Sequence, residues 1–303
     1  MANELSNTDF DISDDDLLAM ERRMLDAFDA RSIDDLNALG FGELGVPVAW
    51  PDAEPRLCVK RLISSSDTEI ESLLADIAAY IAALEPHVSI VPTQLRTVVN
   101  DHDRTVGYLV QPLLPAEHLL ENVLPQTTPE VGHPAILAVR GAIVNSVADQ
   151  VATLDSQLSN FTWHEGDLGF FDIGTPFMLV DGQARPITGA AMKPMPAVLR
   201  PVATKEAARI ANEFATVRGN LEHAAISVAR LGLDDWLDPV VETFNQVIDE
   251  PLEAEEIKAR LAKRHKDMIM LKRLMKVQRT WATKVRRQPY DFFITDSFSG
   301  KIL

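Results

Sequence analysis

The sequence predicts an α+β fold with strands gathered early and helices late, and three observations predict it. Residues 46–114 contain alternating apolar runs bounded by Gly, Pro, Asn and Asp turns, with one helical stretch among them. From about residue 135 the apolar positions recur at helical spacing, interrupted once by a hairpin pattern near residues 160–172. The order is not the strand–helix–strand alternation that builds a parallel sheet. The expected organisation is two-lobed. An acidic tail and N-terminal helix occupy 1–31, a small β-rich N-lobe 32–112, and a larger, mainly helical C-lobe 113–303.

Each element has a local cause. Ser13 caps a helix running to about Asp29, with Leu17, Leu18, Met24, Leu25 and Phe28 at helical spacing, and Ser32 with Asp35 offers a weaker capping signal. Val46–Trp50 and Arg56–Leu62 alternate around a polar turn at Asp52–Pro55 and read as a hairpin. Ser66 or Asp67 caps a helix over Thr68–Leu84. Val91–Val99 and Thr105–Leu114 read as strands around the turn Asn100–Arg104, and Pro112 and Pro115 mark a connector. Ala135–Ala152 is an apolar helix, and residues 202–232 and 237–287 have helical periodicity. Between them Asn160–Trp163 and Leu168–Asp172 form a hairpin around His164–Asp167.

Composition narrows the function classes. The 303 residues contain 29 Lys and Arg against 45 Asp and Glu, a formal net charge of −16, with 46% hydrophobic residues, enough for a sizeable core. An acid excess argues against nucleic acid or an anionic membrane as the main partner, since both attract Lys and Arg, while leaving room for a local basic patch. The single Cys58 forbids an internal disulfide and a thiol-rich metal site, and reads as a small core residue in a strand. Met1–Asp16 lacks the basic start and apolar core of a secretion signal. The most apolar helical stretch, Leu73–Leu84, carries Asp76 and falls well short of the roughly 20 residues a membrane span needs. The expectation is a cytoplasmic protein.

Four motifs carry the chemistry. Gly40-x-Gly42-x-x-Gly45 has a spacing shared with dinucleotide sites, but those need a helix directly after the last glycine. Here Pro47, Val48 and Trp50 favour a strand, and a glycine-rich hairpin lays its N–H groups over a nucleotide triphosphate. Lys60, within Leu57–Leu62, can neutralise phosphates if a helix carboxylate holds it, and Glu69 and Glu71 are the candidates, Glu71 preferred. Asp155 and Asn160 bracket one short loop, an acid to take a hydroxyl proton and an amide to bind a metal. Phe171-Asp172-Ile173-Gly174 ends a strand in an acid suited to Mg²⁺. Taken singly, each motif reads at least as well as an ordinary turn, surface charge or loop.

Their order resembles the protein-kinase-like superfamily from about Leu39 to Gly174, most closely its small-molecule branch of aminoglycoside phosphotransferase and choline kinase type. It also looks similar to bacterial proteins with kinase-like motifs. The resemblance implies that Gly40, Gly42 and Gly45 cover the phosphates of ATP, Lys60 pairs them, and Glu71 or Glu69 orients the lysine. It implies a hinge at Val110–Leu114, with Gln111 and Leu113 in it, whose backbone receives the adenine. Asp155 would be the catalytic acid/base, and Asn160 and Asp172 the Mg²⁺ ligands. The implied activity is phosphoryl transfer to a hydroxyl of a small-molecule acceptor. A kinase-like binding or regulatory module without turnover, or a nucleotidyl transferase, are the alternatives.

Two departures stand out. Thr153 occupies the place where the family usually has His, and no Ala-Pro-Glu-like segment follows Gly174, where Thr175–Pro201 is rich in Pro, Gly and Met. His87, His118, His133, His223 and His265 show no metal-ligand spacing, and His164 reads as exposed. The basic run Lys258–Arg287 reads as a solvated helix face or as a docking surface for an acidic partner, including this chain's own acidic N-terminal segment. Tyr290–Ile294 could close against the C-lobe as a packed tail. Oligomeric state and acceptor are left open.

Overall fold

The computed structural model describes residues 10–30, 32–40, 45–62, 67–185, 200–285 and 287. Gly42, the alternative cap Ser66, the middle of the Pro- and Met-rich stretch (186–199) and Tyr290–Ile294 lie outside them. The fold is mixed α+β, as expected.

Helix α1 (Asp14–Ala30) begins where its cap predicts, with the Asp16 N–H donating to Ser13 Oγ at 3.1 Å. Strands β1 (Pro47–Trp50) and β2 (Leu57–Arg61) form the expected hairpin. After α2 (Asp67–Leu84) come β3 (Ser89–Ile90), β4 (Gln94–Val99) and β5 (Thr105–Pro112). The four long strands make an antiparallel sheet in the order β1-β2-β5-β4. Of the strand expected over Val91–Val99 only Gln94–Val99 forms, because Pro92 interrupts the ladder; the short β3 just before that range belongs to another sheet.

Alternation along β2 sends Leu57, Val59 and Arg61 to one face and Cys58 and Lys60 to the other. The first face meets α1, whose Leu17, Met20, Met24 and Ala27 pack with Val48, Leu57, Val59, Tyr108 and Val110. A polar group sits within this cluster. Glu21, 1% exposed, receives Arg61 through two bonds of 2.7 and 3.0 Å, the Tyr108 hydroxyl at 2.5 Å and the Asn100 amide at 2.9 Å. Burial alone would raise the Glu21 carboxyl, but these donors together hold it below its ordinary value.

The other face meets α2. A Cβ on Gly107 of β5 would stand 2.3 Å from Ile70 Cδ1, so the missing side chain is what lets the helix approach. Ile70, Ile77, Tyr80 and Leu84 continue into a larger core built around α4 (Pro134–Ala148) and α6 (Val217–Arg230). The short α3 (Leu120–Val123) precedes α4. The latter stops four residues before the expected Ala152, since Gln150 has φ of 56° and Ala152 bridges to Met178. Strands β6 (Phe161–His164) and β7 (Asp167–Phe170) form the embedded hairpin, and β7 pairs in parallel with β3. A minor hairpin, β8 (Leu179–Val180) and β9 (Gln183–Ala184), follows.

Each of the two long helical stretches is broken in two. Residues 202–232 divide into α5 (Arg200–Phe214) and α6, because Thr216 caps the second helix by accepting from the Gly219 N–H. Residues 237–287 divide into α7 (Asp234–Asn245) and α8 (Ala254–Lys284) around Pro251, where the Asn245 side chain ties both backbone groups of Leu252. Glu213 joins α5, α6 and α8. It accepts from Arg260 at 3.0 Å and pairs with Arg209 and with His223 at 3.1 Å. Burial opposes its charge, yet the His223 hydrogen bond and the neighbouring arginines hold the Glu213 carboxyl at about 2.

Two outcomes follow. Arg61→Met leaves Glu21 buried without its main partner and should cost about 3–5 kcal/mol, read by urea denaturation at pH 7. The depressed carboxyl of Glu213 contributes stability above its ordinary value near 4.5 that is lost as pH falls towards about 2. Glu213→Gln should therefore remove a component of roughly 2–3 kcal/mol from the acid limb of the stability–pH curve.

Candidate functional site

The β2–β5 face turned away from α1 carries Cys58, Lys60, Leu109 and Gln111. On it, Lys60 Nζ meets Asp172 Oδ1 at 2.9 Å, although 112 residues separate them in sequence. Their side chains are 17% and 30% exposed, which shields the pair without sealing it from a ligand. Burial disfavours the Lys60 charge, but the Asp172 carboxylate, with a further contribution from Asp155, outweighs it and raises the ammonium above its ordinary value. Lys60 is therefore a fixed cation at neutral pH.

Asp172 is held by its neighbours. Phe170 and Ile173 are fully buried on either side of it. The Ile173 N–H donates to Phe171 O at 3.0 Å, so Asp172 sits at the centre of a three-residue turn. The Phe171 N–H donates to Asn160 O at 3.1 Å, and Gln111 Nε2 donates to Phe171 O at 2.9 Å. Beyond it a Cβ on Gly174 would come 3.3 Å from Lys60 Nζ and 3.2 Å from Leu109 Cδ1, so the lysine head lies against bare backbone.

The loop from Thr153 to Asn160 is anchored from two sides. From α2, the buried Tyr80 hydroxyl donates to Thr153 O at 2.8 Å. From α6, fully buried Asn220 donates through Nδ2 to Thr153 Oγ1 at 2.6 Å and Leu154 O at 3.1 Å. Ser156 Oγ donates to Asn220 O at 2.7 Å, and Ser227 Oγ receives the Leu158 N–H at 2.9 Å. Thr153 is fully buried and its hydroxyl also donates to Phe214 O at 2.8 Å, which ties the loop to the end of α5. The half-buried Asp155 carboxylate accepts from Gln157 Nε2 at 3.1 Å. Burial pushes the Tyr80 hydroxyl far up, and the charges of Asp155 and Asp172 both add to this.

Asn160, 7% exposed, donates from Nδ2 to Asp155 O at 3.2 Å, which leaves Oδ1 as its acceptor. A carboxylate and an amide oxygen suit a hard cation such as Mg²⁺, which takes few protein ligands and completes its shell with water and phosphate. Among the described residues no group of three or more His, Cys, Asp or Glu is assembled, so a site for a softer, protein-caged metal is not present there.

Other expected residues fall differently. Gly45 lies beside Lys60, a Cβ there standing 3.8 Å from the lysine stem, whereas Gly40 faces open space. Glu71 is exposed on α2 and does not pair with Lys60, whose carboxylate partner is Asp172. The reason is rotational: Ile70, Ile77 and Tyr80 take the inward face of α2, and Glu71, one residue on from Ile70, turns outward. Glu69 is half-buried and makes no bond to Lys60 either. The Gln111 side chain is occupied by Thr93 Oγ1 and Phe171 O, and the Leu113 N–H by Arg56 O at 2.8 Å. The Gln111 side chain thereby braces the turn that carries Asp172, and the Leu113 N–H is already bonded within the sheet edge. Cys58 is half-buried, and burial pushes its thiol up to about 11, which removes it as a nucleophile. His164 is 37% exposed and stacks on His118 at 3.8 Å.

Tyr80 and Asn220 are supporting residues that sequence reasoning passed over, and Gln111, expected in the adenine hinge, supports the Asp172 turn through its side chain. The only signal for Asn220 is a polar residue within a helix segment, 219–228, that is buried on every side.

The described chain is thus a mixed α+β protein in which Lys60 of an antiparallel sheet pairs with Asp172 on one face of that sheet. It belongs to the Family of unknown function (DUF6206), whose profile matches residues 47–279 and so spans Lys60, Asp155, Asn160 and Asp172 but not α1. No curated protein matches the chain.

Asn220→Ala should cost about 1–3 kcal/mol in chemical denaturation by leaving Leu154 O and the Thr153 hydroxyl short of a partner.

Proposed function

We propose that this chain has a two-lobed, protein-kinase-like fold and is a phosphotransferase that moves the γ-phosphoryl group of ATP to a hydroxyl of a small molecule. The observation that carries the reading is the 2.9 Å contact between Lys60 and Asp172. The pair is partly buried and reachable, and phosphate chemistry needs a cation and a metal-binding acid together.

The roles are those the resemblance implies, and the contacts around Lys60, Asp155 and Asp172 accommodate them. Lys60 is a fixed ammonium for the nucleotide phosphates, once Asp172 turns its carboxylate towards a cation. Asp172 and Asn160 would hold Mg²⁺, which supplies charge neutralisation on the phosphate oxygens. Asp155, oriented by Gln157, accepts the proton of the acceptor hydroxyl as its oxygen bonds to the γ-phosphorus. The bond from that phosphorus to the bridging oxygen breaks, and ADP leaves with the electron pair. Gly45 beside Lys60 leaves room for a phosphate chain close to the backbone.

A second reading, a nucleotide-responsive module without turnover, is favoured by one feature. Lys60 is held by Asp172 and not by a carboxylate of α2. Nucleotidyl transfer would use the same residues with a different phosphorus attacked.

Millimolar MgATP should raise the melting temperature by about 2–4 °C, the shift expected near saturation for a chain of this size. Lys60→Ala should abolish it. Asp155→Asn should keep the shift and lower turnover, over a panel of small alcohols, by about 10²–10⁴-fold. No shift at all would overturn both readings. A shift with no Asp155-dependent turnover would leave the binding module, and product mass separates phosphate from AMP transfer.

A further inference from the structure

The basic run near the C-terminus is not used by the candidate site. Residues 258–287 hold 12 of the 29 Lys and Arg but only one of the 45 Asp and Glu, Asp267. The remainder of the chain therefore carries 17 basic residues against 44 acids. Charge is segregated, and a net value of −16 averages over it.

Nearly all of the run lies on α8, which packs against α6 and α7, with Ile257 and Leu261 entering the core. At 3.6 residues per turn, Lys263, Lys266, Arg273 and Lys284 fall on one side of the helix within an arc of roughly 160°. All four are exposed. The same arc holds Ile269, Val277, Trp281 and Val285, which are 39%, 67%, 46% and 67% exposed. Basic and apolar side chains are thus interspersed along a face about 33 Å long from Lys263 to Val285.

We propose that this face of α8 docks onto an anionic lipid surface. Lysine and arginine side chains would take the headgroup charges, while Val277, Trp281 and Val285 enter the boundary between headgroups and acyl chains. A nucleic acid would answer the charge but gives exposed valine and tryptophan nothing to bury against along its phosphates. A mixed basic and apolar strip fits a plane that offers both chemistries. The acidic remainder is repelled by the same surface, which holds it outward and presents the helix alone. Among the described residues no helix is long and apolar enough to cross a membrane, so the contact is peripheral.

Co-sedimentation of the full chain with phosphatidylcholine vesicles, alone or with about 30% phosphatidylserine, tests it, with binding to the anionic vesicles expected to be at least about tenfold tighter. The triple variant Lys266→Glu, Arg273→Glu, Lys284→Glu should lose at least about tenfold. Val277→Ser with Trp281→Ser should lose about tenfold at high salt as well as low. Unchanged circular dichroism and an unchanged melting temperature establish that each variant is folded. Equal binding to both vesicle types, or indifference to the triple variant, overturns the proposal. So does double-stranded DNA binding more tightly than anionic vesicles with no effect of Trp281→Ser, or a salt-sensitive dimer in light scattering that the vesicles do not compete away.

Discussion

Lys60 comes from an antiparallel sheet and Asp172 from the end of a hairpin in the helical part, and their charges meet at 2.9 Å in partly buried surroundings. Bringing two ions there removes water from both, so the contact persists only if its two ends are held rigidly. The surrounding structure meets that requirement. β2 is paired on both sides, by β1 and β5, which fixes the position of the lysine Cα. Asp172 is the centre of a tight turn whose carbonyl is bonded to Gln111, a residue of the neighbouring strand to β2. One side-chain amide therefore couples the sheet that carries the cation to the loop that carries the anion.

A second constraint concerns the loop from Thr153 to Asn160. Its backbone is mostly buried and lies outside any long helix or sheet, so its polar groups need partners from elsewhere. Asn220, Ser227, Phe214 and Tyr80 supply them from three helices. Satisfying those groups and holding Asp155 in place are the same act. Thr153 does this by a hydroxyl that donates to one carbonyl and accepts from one amide, both inside the core. The polar cluster around Glu21 and Arg61 does the equivalent for α1, tying it to the strand that bears Lys60 one residue earlier.

Legibility in the sequence followed the range of the forces involved. The hairpins and the Ser13 cap depend on neighbours within a turn or a strand pair and could be read from spacing. On α1, by contrast, spacing found the buried Leu17 and Met24 but not Met20, Glu21 and Ala27 beside them. The breaks at Thr216 and Pro251 were local too, but they were outweighed by helical periodicity that runs on through both. Glu71 was misjudged because spacing identifies which residues open a helix without saying how the helix is rotated against the sheet. Ile70 meeting Gly107 settles that rotation and sends Glu71 outward.

By itself the sequence determined the fold class, the alternation that puts Lys60 opposite Arg61 on β2, the order of the glycine turn, lysine, acid–amide loop and final acid, and the acidic and basic division of the chain. Period-two and period-3.6 patterns and formal charge are properties of the covalent chain and survive without a partner. Tertiary structure alone decided that Lys60 pairs with Asp172, that Gln111 and Asn220 are braces, and that the basic residues of α8 share an exposed face with valine and tryptophan. Each of those is a distance or an exposure. They arise from how helices and sheet close over a common core, where residues more than a hundred positions apart come within a hydrogen bond of one another.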